Sequence, residues 1–221
     1  MNKKAKTVPP LIRDSSTQVE THGGNFVDVA RPQDSTITLT DIAWALSQTC
    51  RFGGHCSRYY SVAEHSVFVS KRLERRGYSP LIQLAGLHHD DAEAYLGDIP
   101  TPIKPLLGHS YAYITNLMDH AIVRALGLPF EHQTSFDGLP TSLKAFSGPE
   151  LKDADVWALL VEARYLLPSE GKGWAIVREW KLVEQPSRII TPDYWLGGLT
   201  SQQAYATFLE RHVELTERIN A

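Results

Sequence analysis

An apolar helical run that turns abruptly polar is the strongest constraint in this chain. Leu81, Leu84 and Leu87 recur at helical spacing, and the run continues directly into His88-His89-Asp90-Asp91-Ala92-Glu93. A helix that buries its leucines carries these groups inward, where they need partners or a metal. A helix that turns them outward merely presents a solvated face. Periodicity alone does not decide between the two.

Bulk properties narrow the setting. The chain has 221 residues, 43% hydrophobic and 21% charged, which suits one globular domain with a real core. The net charge of −3 offers no basic surplus for a nucleic-acid surface, although a local basic pocket remains compatible with it. No run of 18 apolar residues is present, so no transmembrane helix and no membrane partner are expected. The basic start, Met1 to Lys6, meets Pro9 and Pro10 where a signal peptide would need an apolar stretch. The expected location is cytoplasmic. Cys50 and Cys56 match no common zinc spacing and make no disulfide framework, so they read as two reduced thiols.

Helical patterns dominate after an irregular or extended leader, residues 1–35. Ile42, Ala45, Leu46 and Thr49 share a face behind Thr40 and Asp41, which predicts a helix ended by Arg51-Phe52-Gly53-Gly54. Ser61-Val62-Ala63-Glu64 is a capping-box pattern and opens a helix through Arg75, with His65 in its first turn. A further helix is expected from Pro80 to Tyr95. Pro100 and Pro102 make a stiff segment behind it. Ile114, Leu117, Met118, Ala121, Ile122, Ala125 and Leu126 form an amphipathic stripe stopped by Gly127 and Pro129. Residues 130–147 read as a loop. Gly148-Pro149-Glu150 starts a helix to Leu167, residues 168–199 read as irregular, and a last helix spans Ser201 to Ile219. The expected fold is all-α with long connections, residues 36–221 forming one domain.

His65, His89, Asp90 and Asp155 make a plausible mixed nitrogen and oxygen shell for a divalent cation, gathered from several helices as bundle cores commonly do. His89 and Glu93 lie four apart and share a helix face, while His88 lacks that relation. His89 is therefore preferred as ligand, and Asp91 reads as surface. Lys152 and Asp155 lie three apart, pairing a phosphate-binding cation with a ligand, whereas Asp153 points away. Glu93 and Asp98 supply acid–base groups, and Arg51, Lys104 and Lys152 supply positive charge. Metal, acid–base and anion-binding groups together suggest phosphate-ester hydrolysis.

Four segments then carry a resemblance: Asp41-Ile42-Ala43 with Arg51-Phe52-Gly53-Gly54-His55, Tyr59 to Ser66, His89 to Pro100, and Lys152-Asp153-Ala154-Asp155. The set resembles the HD-domain metal-dependent phosphohydrolases, in the branch of bacterial 5′-deoxynucleotidases and phage dATP triphosphohydrolases. It covers roughly residues 40–165, the span of the quoted motifs. The resemblance implies an all-α HD-type helical fold with a metal site between helices. It implies a divalent cation on His65, His89, Asp90 and Asp155, with Glu93 and Asp98 serving the chemistry. Arg51, Lys104 and Lys152 fall where family members hold phosphate, and Phe52 where a side chain packs against sugar or base. His88 stands where the family is expected to carry an apolar residue. The donor set does not select among Co, Zn, Mn, Fe and Mg.

The leading expectation is a deoxynucleotide phosphohydrolase that converts dATP or another dNTP to nucleoside and triphosphate, because three cations are generous for one phosphate. The alternative is a 5′-deoxynucleotidase releasing phosphate from dNMPs. A non-catalytic nucleotide sensor would have no need of Glu93 and Asp98, and a structural helical adaptor would carry no metal. A small-molecule deoxynucleotide is the expected partner. Base preference and oligomeric state stay open, with a homo-oligomer allowed.

Overall fold

The helix starts are set locally. In the computed structural model, which describes residues 17–135, 138–176 and 198–221, Thr38 caps α1 (Leu39–Gln48) by accepting from the Asp41 backbone N–H. Ser61 and Glu64 form a complete capping box at α2 (Val62–Arg75). Pro80 opens α3 (Pro80–His88), and Glu93 opens the short α4 (Glu93–Leu96). The long α5 (Lys104–Ala125) is kinked at Gly108, whose φ of 67° lies in the left-handed region that glycine tolerates. The four-residue α6 (Lys144–Ser147) leads into α7 (Pro149–Leu166), where proline occupies a tolerated first position. A second complete capping box, Thr200 with Gln203, starts α8 (Ser201–Asn220).

The architecture is all-α. α2 lies at its centre, packed on α1, α3, α7 and α8, and α8 also covers α1 and α3. Leu73, Leu84, Leu87, Val161, Phe208 and Leu215 are buried in one continuous core. Among the described residues, no helix is long and apolar enough to cross a membrane.

Three expectations change. The described part of the leader holds a small antiparallel hairpin, β1 (Gln18–Glu20) and β2 (Phe26–Asp28), in register Val19 to Val27. It docks on α1 because Asp41 accepts from the Gly23 backbone N–H at 2.6 Å and from Asn25 Nδ2 at 3.0 Å. The stretch read as loop contains α6 and an isolated bridge between Thr134 and Pro140. Of the second stretch read as irregular, residues 177–197 lie outside the described residues.

The third change bears on the site. The helix expected from Pro80 to Tyr95 breaks after His88. Over the next residues the backbone makes tighter three-residue bonds, Asp91 N to His88 O and Glu93 N to Asp90 O. His88 Nδ1 and Asp91 Oδ2, 2.6 Å apart, brace that turn. Asp91 is thus buried rather than on the surface, because His88 supplies its partner. The shared-face argument for His89 and Glu93 does not apply, yet both still line one cleft.

Candidate functional site

Four parts of the chain converge on one point. α2 brings His65, the turn after α3 brings His89 and Asp90, and α7 brings Asp155. Arg51 comes from the tight turn after α1. The capping box sets where α2 begins, and so fixes the angular position of His65 in its first turn.

The two imidazoles are each oriented through Nδ1. His65 Nδ1 lies 2.7 Å from Glu162 Oε1, and His89 Nδ1 lies 2.9 Å from the Gly86 carbonyl oxygen. Both acceptors can only accept, so each Nδ1 carries the proton and each Nε2 is left facing inward. Among the described residues, both Nε2 atoms are buried without an aligned hydrogen-bond partner. Around them are carboxylate oxygens. Asp155 Oδ1 is 3.1 Å from His65 Nε2 and 3.8 Å from His89 Nε2, and Asp90 Oδ2 is 3.5 and 3.3 Å from the same atoms. Donors at roughly 2.0–2.2 Å from one cation lie about 3.0–3.5 Å apart, close to this spacing. His65, His89 and Asp155 therefore form a group that could hold a metal ion.

The electrostatics suit positive charge. Burial disfavours a charged ring at His89, but Asp90 and Asp155 outweigh it and lift its pKa to about 9. Burial and Arg51 also oppose charge on His65, and Glu162 with Asp155 overturns them, so that its pKa rises. Burial pushes Asp155 up, yet His65 and His89 hold it well below the ordinary carboxylate range. Protons and a cation compete for such a place, so metal binding there releases protons. Glu93 behaves oppositely. Burial, then Asp90 and Asp98, push its carboxyl well above the usual range against the pull of Arg51 and Lys104. Among the described residues Glu93 Oε2 meets no hydrogen-bond partner, and Oε1 is 3.5 Å from Lys104 Nζ.

Two clefts flank the cluster. The smaller, about 290 Å³, is lined by His89, Asp90, Glu93, Lys104, Tyr111 and Asn116. The larger, about 600 Å³, is lined by Arg51, Phe52, Asp98, Pro100, Leu159 and Trp174. Arg51 joins them, with Nη1 3.6 Å from Asp90 Oδ2 and Nε donating to Glu162 Oε2 at 3.2 Å. Phe52 and Trp174 face one another across 6.5 Å between ring centres.

The structure thus brings together His65, His89, Asp90, Asp155, Glu93 and Lys104 on one side, and Arg51, Phe52 and Asp98 on the other. It does not bring Lys152, which is exposed on α7 and lies outside both clefts. Two residues were not anticipated. Glu162 is fully buried and binds His65, Arg51 and the Tyr60 hydroxyl, the last at 2.9 Å. Its spacing of two helical turns from Asp155 was the available signal. Trp174 carried no such signal, since its place depends on how the chain leaves α7.

No protein-family model matches the chain. It is similar to the uncharacterized protein YfdR of Escherichia coli (strain K12), at 31% identity over 199 residues, which span 90% of this chain and 96% of the relative. An uncharacterized protein of Rhodobacter capsulatus is 34% identical over 193 residues, spanning 86% of this chain and 90% of that one. With nearly full-length coverage on both sides, the chain belongs to the YfdR family.

Proposed function

We propose that this protein is a metal-dependent phosphohydrolase of deoxynucleotides, built on the HD-domain plan. One observation carries the reading: two buried imidazoles, each with Nδ1 spent on an acceptor and Nε2 left free, face two carboxylates at the junction of two clefts. His65, His89, Asp90 and Asp155 would hold the cation, of the Co, Zn, Mn or Mg kind. When bound, it would supply a Lewis acid for the phosphoryl oxygen and a more acidic water.

The remaining work belongs to side chains. Glu93 opens into the smaller cleft, its carboxyl pushed above the usual range by burial and then by Asp90 and Asp98. It orients the attacking water and takes its proton. Asp98 lines the larger cleft and assists departure of the nucleoside 5′ oxygen. With Glu93 in one cleft and Asp98 in the other, water would attack the phosphorus from one side as the bond to the 5′ oxygen breaks on the other, the in-line arrangement. Arg51, held by Glu162, presents its guanidinium to the phosphate, and Lys104 adds a point charge. Phe52 and Trp174 provide an aromatic wall for base or sugar. A volume of about 600 Å³ falls within the usual range for small-molecule sites.

Two substrate classes remain. The preference for a triphosphate rested on three cations, of which only Arg51 and Lys104 face the clefts. Two cations suit one phosphate, so release of phosphate from a dNMP becomes the leading reading. Release of triphosphate from a dNTP such as dATP is second, favoured by the space beside Lys104 in the smaller cleft. The test is a screen of the purified protein over dNMPs and dNTPs with Mn, Co, Zn or Mg, resolving phosphate, pyrophosphate and triphosphate. The expected result is phosphate from a dNMP, lost in Asp90→Ala. Nucleotide binding without hydrolysis under every metal would overturn the enzyme reading in favour of a sensor.

A further inference from the structure

Cys50 and Cys56 take no part in the site described above, yet they hold both ends of the turn that carries Arg51 and Phe52. Their sulfurs lie 3.5 Å apart, and both side chains are half-buried. The turn is closed by three successive left-handed residues, Phe52, Gly53 and Gly54, with φ of 58°, 59° and 80°. Such a run curls the chain back on itself, and for Phe52 this conformation is strained. His55 N–H donates to the Phe52 carbonyl oxygen at 3.1 Å and holds the curl. Cys50 is bridged to Ser61, the cap of α2, while Cys56 Sγ also lies 3.7 Å from the Arg51 carbonyl oxygen. A disulfide requires sulfurs about 2.05 Å apart. Small side-chain and backbone adjustments close the difference.

We propose that Cys50 and Cys56 form a reversible intramolecular disulfide, an oxidation site that resets the turn carrying Arg51 and Phe52. Hydrogen peroxide is a sufficient oxidant. The Cys50 sulfur attacks one peroxide oxygen and breaks the O–O bond, giving a sulfenic acid. The departing hydroxide takes the thiol proton and leaves as water. The Cys56 sulfur then attacks the Cys50 sulfur, breaks its S–O bond and forms S–S. The second hydroxide takes the Cys56 proton as a second water. Two electrons pass from the thiols to peroxide. Burial and the neighbouring Cys50 push the Cys56 thiol up to about 11, which assigns the first attack to Cys50. A dithiol reductant reverses the bond by exchange.

The consequence for catalysis rests on the phosphohydrolase reading. Arg51 is anchored through its backbone N–H to the Tyr60 carbonyl oxygen and through its side chain to Glu162. Drawing Cys50 towards Cys56 pulls on both anchors, whereas His65, His89, Asp90 and Asp155 lie on other elements. Oxidation should therefore raise KM several-fold and leave bound metal unchanged.

The test treats the full-length, reduced protein with peroxide and measures intact mass, a peptide map and nucleotide kinetics. The expected result is loss of two hydrogens, a link between positions 50 and 56, reversal by dithiothreitol and a raised KM. Cys50→Ser and Cys56→Ser should each abolish the link and the KM change. Mass gain by sulfinic or sulfonic acids, or intermolecular dimers in place of the internal link, would overturn the oxidation site. A link with unchanged KM would overturn its effect on the turn. If the link forms but the reduced protein hydrolyses no nucleotide, the oxidation site stands and the phosphohydrolase reading fails.

Discussion

The pairs His88–Asp91 and His89–Asp90 offer the same functional groups within four consecutive residues, but they live in opposite surroundings. His88 is fully buried, with Nδ1 on Asp91 and Nε2 2.9 Å from His212 Nδ1. Its ring also packs edge-on against Phe208. Both of its nitrogens are used by protein. His89 instead spends Nδ1 on Gly86 and aims Nε2 at Asp90 and Asp155, where no aligned partner among the described residues meets it. A histidine whose second nitrogen is spent supports packing, and one whose second nitrogen is kept free is suited to a ligand.

The largest expected contrast is metal content. His89→Ala and Asp90→Ala should lose the bound cation and measurable turnover together, whereas Asp91→Ala should keep the metal. Elemental analysis checks this, and full metal occupancy in His89→Ala and Asp90→Ala would break the division of roles. Next, Glu93→Gln should retain the metal and lose turnover by roughly 10²–10⁴-fold, the usual share of a general acid–base group. A near-normal rate would reduce Glu93 to a structural partner of Lys104.

His88→Ala should act on stability and leave metal content alone. It leaves the Asp91 carboxylate buried without its ring partner, a loss of about 3–5 kcal/mol by analogy with broken buried pairs. Denaturant melts measure it, and a change well under that range would mean that Asp91 finds water or another donor.

A smaller effect appears with pH. Burial, then His88, pull His212 down to about 4, while an unfolded histidine titrates near 6.5. Between those values the unfolded chain binds more protons, so stability should fall as pH drops through that window. His212→Gln should flatten that slope, and an unchanged slope would assign acid sensitivity elsewhere. The smallest effect is expected at Lys152→Met, below about twofold in KM, because the side chain faces solvent. Lys104→Met should cost more on the same substrate. Equal losses would return Lys152 to the site.

Features encoded in a few neighbouring residues were legible. The capping box of Ser61 and Glu64, the proline start at Pro149 and the last helix depend on local hydrogen bonds and backbone preferences, and the structure keeps all three. The helical placement of His65 and Asp155 was readable for the same reason, whereas His89 sits in the turn after α3. The hairpin at β1 and β2 was not, because three-residue strands carry little periodicity and this one is held by Asp41 from a distant helix.

Sequence alone therefore determined the helical class and where most helices begin, since those choices lie within a turn or two of backbone. It also named His65, His89 and Asp155, the group that could hold a metal ion. Tertiary structure alone decided which member of each adjacent pair faces the clefts. His212, 124 residues beyond His88, claims that ring, and Glu162, 97 residues beyond His65, orients the other. Partner satisfaction is a property of three-dimensional packing. No reading of local period could tell the spent nitrogen of His88 from the free one of His89.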